Sequence, residues 1–169
     1  MSANAYEIRL AERRDLAEIV EIYNHYVMNT HFTFDIEPFS VDTRGAWWAQ
    51  FDNARSQCWG IFTDGNLGGY ACSVPFKAKR AYETSVEVSV YLDVDNTGRG
   101  LGGRLYERLL SELSLQDVHR AYAGIALPNE PSVKFHERFG FNQVATFNEV
   151  GRKFDRFWDV AWYERSCEQ

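Results

Sequence analysis

A glycine-rich junction between a strand-like stretch and a helix-like stretch is the feature that most constrains this chain. Residues 88–92 read Val-Ser-Val-Tyr-Leu and alternate as a strand does, and Gly100–Leu113 carries leucines at helical spacing. The glycines at the junction are Gly98, Gly100, Gly102 and Gly103. A junction of this kind directs several backbone N–H groups and a helix N-terminus at one place, which suits a phosphate or pyrophosphate group.

The spacing of the junction excludes a P-loop. That motif requires two glycines separated by four residues, followed by lysine and then serine or threonine. Gly98 and Gly103 have the required separation, but Arg104 and Leu105 follow them. The lysine that contacts phosphate and the hydroxyl that binds magnesium are therefore both missing.

A dinucleotide-binding fingerprint matches the junction only in the spacing of its glycines. In that fold the first glycine follows the strand directly, and an acidic residue about 20 positions later ends the next strand. Here residues 93–97 separate Leu92 from the first glycine, and Asp117 precedes the next apolar stretch. We interpret the match as accidental. A ligand loop of another kind and a glycine-rich helix cap without ligand both stay open.

The composition indicates one domain, residues 1–169, without a nucleic-acid or membrane partner. Of the 169 residues, 45% are hydrophobic and 15% aromatic, which is enough for one well-buried core. The net charge of −6 disfavours an anionic partner, and no apolar stretch approaches the roughly 20 residues of a membrane span. The three cysteines and the absence of a signal-peptide core at the start predict reduced thiols and a cytoplasmic location. The four histidines lack metal-ligand spacing, so we expect no metal site.

The periodicity of the sequence predicts alternating strands and helices. The predicted strands are Tyr6–Leu10, Cys58–Thr63, Leu67–Val74, Val86–Leu92, Ala121–Leu127, Phe141–Glu149 and Phe154–Tyr163. The predicted helices are one capped by Asp15 with Glu18 as its capping-box partner, Ala46–Phe51, Gly100–Leu113 and Glu130–Phe139.

Two glycine-containing segments are predicted to join neighbouring strands, namely 64–66 and 151–153. We expect an α/β or α+β fold that is antiparallel at first and has a parallel β-α-β step across residues 86–127.

Two segments resemble signatures of the GNAT acetyltransferases. Residues 97–102 resemble the coenzyme A pyrophosphate loop, Arg/Gln-x-x-Gly-x-Gly/Ala, with Thr97 at the first position. Asn129-x-x-Ser132-x-x-x-His136 resembles the second signature, in which tyrosine usually occupies the position of His136. Within this superfamily the chain most resembles the phosphinothricin/methionine sulfoximine N-acetyltransferases. The segments that carry this closer resemblance are 22–26, 75–82, 86–91, 123–129 and 158–162.

The resemblance implies a GNAT fold and acetyl-CoA as cosubstrate. That fold is a single mixed, mostly antiparallel sheet flanked by helices, with its parallel β-α-β step at the acetyl-CoA site. Homodimers are typical of such relatives, and the candidate contacts are residues 154–162 and the pair Trp47-Trp48. The implied reaction is acetylation of the amine of a small glutamate-like amino acid by direct attack. Another small amine, a peptide N-terminus, or a non-catalytic acyl-CoA-binding regulator are the alternatives.

Glu87 is the expected general base. Along the strand Val86–Leu92 the apolar residues alternate with Glu87, Ser89 and Tyr91, so these three side chains share one face. An amine is mostly protonated near neutral pH and must lose a proton before it attacks. Glu87 also matches the carboxylate that the sulfoximine acetyltransferases are thought to use. The alternative is a solvated glutamate on a half-exposed strand.

The resemblance also assigns the cofactor contacts. The main chain of Val90, Tyr91 and Leu92 is expected to bind the pantetheine arm, with an N–H group near Val90 polarising the thioester carbonyl. Asn129 is expected to cap a helix or to bond the pantetheine. The residues expected at the pyrophosphate are Thr97, Gly98, Arg99, Gly100, Leu101, Gly102 and Gly103.

The remaining candidates concern the leaving thiolate and the substrate. His136 and Tyr106 are the candidate proton donors, and packed core residues are the alternative reading of both. A cationic cluster is expected to attract acidic groups of the substrate, and a tyrosine and two phenylalanines are expected to contact it. These substrate residues are Lys77, Lys79, Arg80, Tyr82, Phe32 and Phe34. The alternative is a solvated basic loop with ordinary core aromatics.

Overall fold

The computed structural model describes residues 6–51 and 54–167. The strands are β1 Tyr6–Leu10, β2 Cys58–Thr63, β3 Asn66–Pro75, β4 Ser85–Leu92, β5 Arg120–Ala126, β6 Asn142–Lys153 and β7 Arg156–Ser166. The helices are α1 Leu16–Asn29, α2 Gly45–Trp48, α3 Leu101–Leu113 and α4 Glu130–Arg138. The described strands form one sheet in the order β1-β2-β3-β4-β5-β7-β6, in which the β4–β5 neighbours are parallel and the others antiparallel. The predicted mixed α/β architecture is confirmed.

Helices cover both faces of the sheet. One face packs against α1, whose buried side chains Leu16, Ile19, Val20 and Ile22 contact Phe62 and Tyr70 among others. The opposite face packs against the leucine stripe of α3, which lies on alternate residues of β4 such as Val86 and Val88. Because strand side chains alternate, Glu87, Ser89 and Tyr91 are directed to the α1 face.

The parallel strands β4 and β5 separate partway along their length. They pair at Ser85 with Arg120, at Val86 with Ala121, and last at Glu87 with Tyr122. Beyond that point β5 continues to pair with β7 on its other side, as at Ala126 with Val160. The result is an opening between residues 88–92 of β4 and residues 123–126 of β5, called the wedge below.

The first helix begins differently from the prediction. Residues Arg13–Asp15 form a short 3-10 turn, and the capping box joins Glu12 and Asp15 instead of Asp15 and Glu18. The Asp15 carboxylate accepts bonds from the Glu12 amide and from Arg9, so it is not available to cap α1. Glu18 accepts a hydrogen bond from the Leu67 amide at 2.8 Å and thereby ties α1 to β3.

The connection between the last two strands also differs. The turn is at Phe154 and Asp155, which have positive φ of 52° and 54°, and not at 151–153. Gly151 lies inside the ladder opposite Trp158, and a Cβ there would overlap the ring of Phe34. The glycine at 151 thus permits a close approach instead of a turn.

The second helix is shorter than predicted, since it ends at Trp48 and 3-10-type bonds continue to Phe51. The turn between β2 and β3 agrees with the prediction, because Asp64 and Gly65 have positive φ as a tight hairpin requires. Apart from the last two strands, the other predicted strand ends and the ends of α3 and α4 agree within one residue.

Candidate active site

The wedge exposes main-chain groups of β4. Two hydrogen bonds show which residues of β4 turn their main chain to β3. They run from the Phe76 amide to the Ser85 carbonyl and from the Asp93 amide to the Gly68 carbonyl. In an antiparallel ladder every second residue turns its N–H and C=O to the partner strand. Tyr91 therefore turns its main chain to β3. The residues of β4 that turn theirs into the wedge are Val88, Val90 and Leu92.

The same alternation holds for β5. The bond from the Leu127 amide to the Asp159 carbonyl fixes the phase of the β5–β7 ladder. Gly124 and Ala126 therefore direct their main chain toward β4. The Leu92 carbonyl accepts a bond from the Tyr26 hydroxyl at 2.7 Å, whereas Val90 lies in the open part of the wedge. An extended chain of amides, such as a pantetheine arm, fits between two such edges.

A cavity of about 350 Å³ occupies the wedge and reaches the glycine junction. Its lining joins the predicted cofactor residues Val90, Tyr91, Leu92, Thr97, Gly98, Gly102 and Asn129 with the predicted proton donor His136. The Asn129 side chain accepts a bond from the Ser132 amide and caps α4. The wedge cavity therefore brings the two resemblance segments, 97–102 and 129–136, to one place.

The glycine junction has the backbone geometry of an anion loop. Gly98 and Gly100 have φ of 72° and 76°, a region that residues with a Cβ rarely adopt. Gly100 is the N-cap of α3, so the first amides of that helix, at Leu101, Gly102 and Gly103, have no partner within the helix. The side chains of Thr97 and Arg99 bond within the loop, to the Val94 carbonyl and to Asn96.

A second cavity, of about 410 Å³, lies on the α1 face and is called the amine cavity below. Glu87 lines it, and burial raises the pKa of this carboxyl group, while the nearby Lys77 acts in the opposite direction. The two cavities meet where β4 and β5 separate. The residues that line both are Phe32, Ser89, Tyr91, Gly124 and Ala126.

The end of the amine cavity away from Glu87 carries polar groups that no sequence pattern indicated. Tyr23 donates to the Asp35 carboxylate and lies 2.6 Å from the Thr33 hydroxyl, and burial with the nearby carboxylate raises the pKa of Tyr23 to about 12. Arg44 is buried beside them. Thr33, Asp35 and Arg44 lie in the irregular segment between α1 and α2, which has no periodicity. Tyr23 on α1 resembles an ordinary buried helix residue.

The predicted substrate residues divide between two places. Phe32 and Phe34 line the amine cavity. Lys77, Lys79 and Arg80 instead line a separate cavity of about 240 Å³. Tyr82 is exposed and packs against Phe76.

His136 and Tyr106 are in contact but differ in access. The Nδ1 atom of His136 lies 2.8 Å from the Ser132 carbonyl oxygen, so it must carry a hydrogen, and the buried Nε2 has no partner among the described residues. In the neutral ring Nε2 then accepts and cannot donate, and burial lowers the pKa of His136. Tyr106 is fully buried, its hydroxyl has no partner in the same part of the chain, and it lines neither cavity.

Within residues 6–51 and 54–167, no three His, Cys, Asp or Glu side chains are arranged to hold a metal ion. In the same part of the chain, no helix is both long enough and apolar enough to span a bilayer.

Comparison with known proteins agrees with this arrangement. Residues 8–162 match the family model described as an acetyltransferase (GNAT) domain. The chain is 48% identical to the phosphinothricin N-acetyltransferase of Streptomyces coelicolor over 94% of this chain and 95% of that protein. It is 31% identical to the L-methionine sulfoximine/L-methionine sulfone acetyltransferase of Salmonella typhimurium over 96% and 95% of the two chains.

A solved structure extends the comparison to the cofactor. An acetyltransferase from Salmonella typhimurium with its cofactor acetyl-CoA superimposes with a TM-score of 0.92 and 31% identity. The alignment covers 98% of this chain and 96% of that one. The wedge, its free main-chain groups and the glycine junction suit acetyl-CoA, the cosubstrate of this family. Fold, site and relatives agree, and the chain belongs to the GNAT family of N-acetyltransferases.

Proposed function

We propose that this acetyltransferase transfers the acetyl group of acetyl-CoA to the amine of a small glutamate-like amino acid, of the phosphinothricin or methionine sulfoximine type. The observation that carries the proposal is the half-buried Glu87 in the amine cavity, next to the opening into the wedge. The proposal takes residues 1–169 as a single domain. A different small amine or a peptide N-terminus is the alternative.

In this proposal the wedge and the glycine junction hold the cosubstrate. Acetyl-CoA supplies the acetyl group as a thioester. The main-chain groups of Val90 and the N–H group of Leu92 hold the pantetheine arm, since the Leu92 carbonyl already accepts from Tyr26. The Val90 N–H group polarises the carbonyl oxygen of the thioester. Tyr91 contributes its side chain at the boundary of the two cavities. Residues 97–103 and the N-terminus of α3 bind the pyrophosphate.

Glu87 takes the proton of the substrate amine, directly or through one water molecule. The neutral amine nitrogen then forms the new C–N bond as the C–S bond breaks, coenzyme A leaves as a thiolate, and the second proton of the attacking nitrogen passes to that thiolate or to solvent. That thiolate is stable enough to leave without help, so no acid is required. His136 lines the wedge cavity and its Nε2 lacks a proton in the neutral ring, so it is the nearer of the two candidate partners. Tyr106 packs against the His136 ring and does not line that cavity.

Two observations support an amino-acid substrate with acidic groups. Relatives at 48% and 31% identity are named for phosphinothricin and for methionine sulfoximine or sulfone. Lys77 acts electrostatically on Glu87, so the cationic segment of Lys77, Lys79 and Arg80 lies near the base although it borders another cavity. Phe32 and Phe34 enclose the apolar part of the substrate.

A homodimer and a cytoplasmic location complete the proposal. Large apolar side chains are exposed on the hairpin of β6 and β7, and an apolar patch on one surface suits a self-complementary contact. They are Val144, Phe147, Val150, Phe154 and Phe157. Trp47 instead packs internally against Phe51 and Tyr70. The free thiols of the three cysteines agree with a reducing compartment.

The test is release of free thiol from acetyl-CoA with a panel of amines. The panel contains phosphinothricin, methionine sulfoximine, ordinary amino acids, polyamines and short peptides. The proposal expects the highest kcat/KM with the first two. A higher kcat/KM with a polyamine or a peptide would reject the substrate class and leave the acetyltransferase reaction intact.

A further inference from the structure

The end of the amine cavity away from Glu87 contains two buried polar groups that lack a hydrogen-bond partner among the described residues. Arg44 is 8% exposed and Tyr70 is 1% exposed, and both line the cavity. Within the described part of the chain, neither the Arg44 Nε atom nor the Tyr70 hydroxyl has a hydrogen-bond partner. Buried polar groups are nearly always hydrogen-bonded, so each unpartnered group requires an explanation.

The surroundings of Arg44 hold its guanidinium in place and leave its Nε–H group without an acceptor among the described residues. The Arg44 guanidinium carbon lies 4.3 Å, 4.5 Å and 4.3 Å from the ring centroids of Tyr23, Phe39 and Trp47. Aromatic rings at this distance contact the face of a guanidinium, and its N–H groups project from the edge. A side chain fixed in this way loses little freedom when it binds an acceptor.

Asp35 does not satisfy Arg44. The Asp35 carboxylate lies 3.9 Å from the Arg44 Nη1 atom, which is longer than a hydrogen bond, and it already accepts from Tyr23. The Asp35 charge still offsets part of the Arg44 charge. The two free groups therefore favour strongly accepting oxygens, and the net charge of the ligand matters less.

Both free groups are donors, and they lie close together. Arg44 is near enough to Tyr70 to act on its ionisation, and the ring of Trp47 contacts both side chains. Burial raises the pKa of Tyr70 well above its ordinary value, so the hydroxyl keeps its proton. Glu87 lines the same cavity as a carboxylate. The cavity thus offers a base for an amine and, apart from it, donors for an acceptor.

We propose that Arg44 and Tyr70 form a receptor for the oxo group at the end of the substrate side chain. The inference rests on the proposed function and deepens it. The substrate amine lies at Glu87, and a phosphinate, sulfone, sulfoximine or carboxylate oxygen accepts from Arg44 and Tyr70. The receptor selects side chains by their terminal oxygens, and Arg44 and Tyr70 are specificity-determining residues.

Methionine sulfone and methionine provide the direct test, because they differ only in the two oxygens on sulfur. The measurement is kcat/KM for both amino acids, together with the rise in Tm that each produces. Wild-type protein should prefer the sulfone at least about tenfold. Arg44→Gln should lose about 10- to 100-fold on the sulfone and much less on methionine. Tyr70→Phe removes only an unpartnered hydroxyl, so it should keep its Tm and lose severalfold on the sulfone alone.

Arg108→Gln is the matched control, since Arg108 lies on α3 and pairs with Glu112 outside the cavity. Two results would overturn the receptor proposal. One is an equal loss of kcat/KM on both amino acids in Tyr70→Phe, and the other is a wild type that shows no preference for the sulfone in either kcat/KM or Tm. A sulfone-specific rise in Tm that Tyr70→Phe reduces, without turnover of either amino acid, would support the receptor and reject the proposed acetylation of such substrates.

Discussion

At the scale of single residues, the ionisation of Glu87 is set by two opposing influences. Burial in the amine cavity raises its pKa, and the positive charge of Lys77 lowers it. A general base must be deprotonated, so kcat/KM falls as the pH falls through the pKa of Glu87 in the free enzyme. Because that pKa is raised above the ordinary value of 4.5, the loss of activity begins at a higher pH than for a solvated glutamate.

Lys77→Gln should move the acid limb of the pH profile of kcat/KM, the range in which activity falls as the pH falls, further toward neutral pH. The substitution removes the charge that favours the ionised carboxylate, so the pKa of Glu87 rises. The measurement is the pH profile of kcat/KM for wild type, Lys77→Gln and Lys134→Gln. Lys134 is exposed on α4 and pairs with Glu130, so its substitution should leave the limb in place. A limb that moves to lower pH in Lys77→Gln would show that Glu87 is not the titrating base.

At the scale of elements, the glycine junction depends on backbone conformation. A Cβ at Gly100 would meet no atom within 4 Å, so the positive φ of 76° is the only obstacle to a side chain there. An alanine in that conformation costs about 1–2 kcal/mol, or forces the loop to another shape. Gly65, in the β2–β3 turn, combines φ of 83° with the same open space and lines neither the wedge cavity nor the amine cavity.

Gly100→Ala and Gly65→Ala should therefore lose similar stability but differ in function. Only Gly100→Ala should raise the KM for acetyl-CoA. The increase should be about tenfold if the strain is released by movement of the backbone amides that bind the pyrophosphate. Urea denaturation gives the stability of each variant, and initial rates give the KM. An unchanged KM in Gly100→Ala would separate this junction from the cofactor.

The predictable and unpredictable elements differ in the range of the interactions that form them. Alternation along β4 and the Asp-Gly turn are local, and they predicted the face of Glu87 and the hairpin 58–75 correctly. The prediction of a turn at 151–153 is wrong, because Gly151 is required by the close approach of the Phe34 ring. In the sequence such a glycine cannot be distinguished from a turn glycine. Arg44 and Tyr70 are 26 positions apart and meet only through the packing of α1, α2 and β3.

At the scale of the whole molecule, the two cavities meet where β4 separates from β5, and the proposed function brings the two reactants together at that place. The wedge cavity is lined by residues of α3 and α4, and the amine cavity lies on the α1 face of the sheet. The β6–β7 hairpin exposes apolar side chains, among them Phe147 and Phe157, which are 50% and 58% exposed. This surface is where we expect a second copy of the chain to bind.

Phe147→Asp combined with Phe157→Asp should convert a dimer into a monomer. Burying two carboxylates in an apolar contact costs desolvation free energy that the contact does not offset. The measurement is molar mass by light scattering across a range of protein concentration. Leu115→Asp changes an exposed apolar residue elsewhere and should leave the mass unchanged. A monomeric wild type, or a double variant that stays dimeric, would contradict this surface.

The most direct test of the account is the rate of acetyl transfer in Glu87→Gln at neutral pH, with acetyl-CoA and the preferred amine both saturating. The amide keeps the shape of the side chain but cannot accept the amine proton as a carboxylate does, so kcat should fall by about 10²- to 10⁴-fold. The dissociation constant for acetyl-CoA should not change. Glu21→Gln, on the exposed face of α1, should behave as wild type. A kcat for Glu87→Gln within a few-fold of wild type would contradict the assignment of Glu87 as the base.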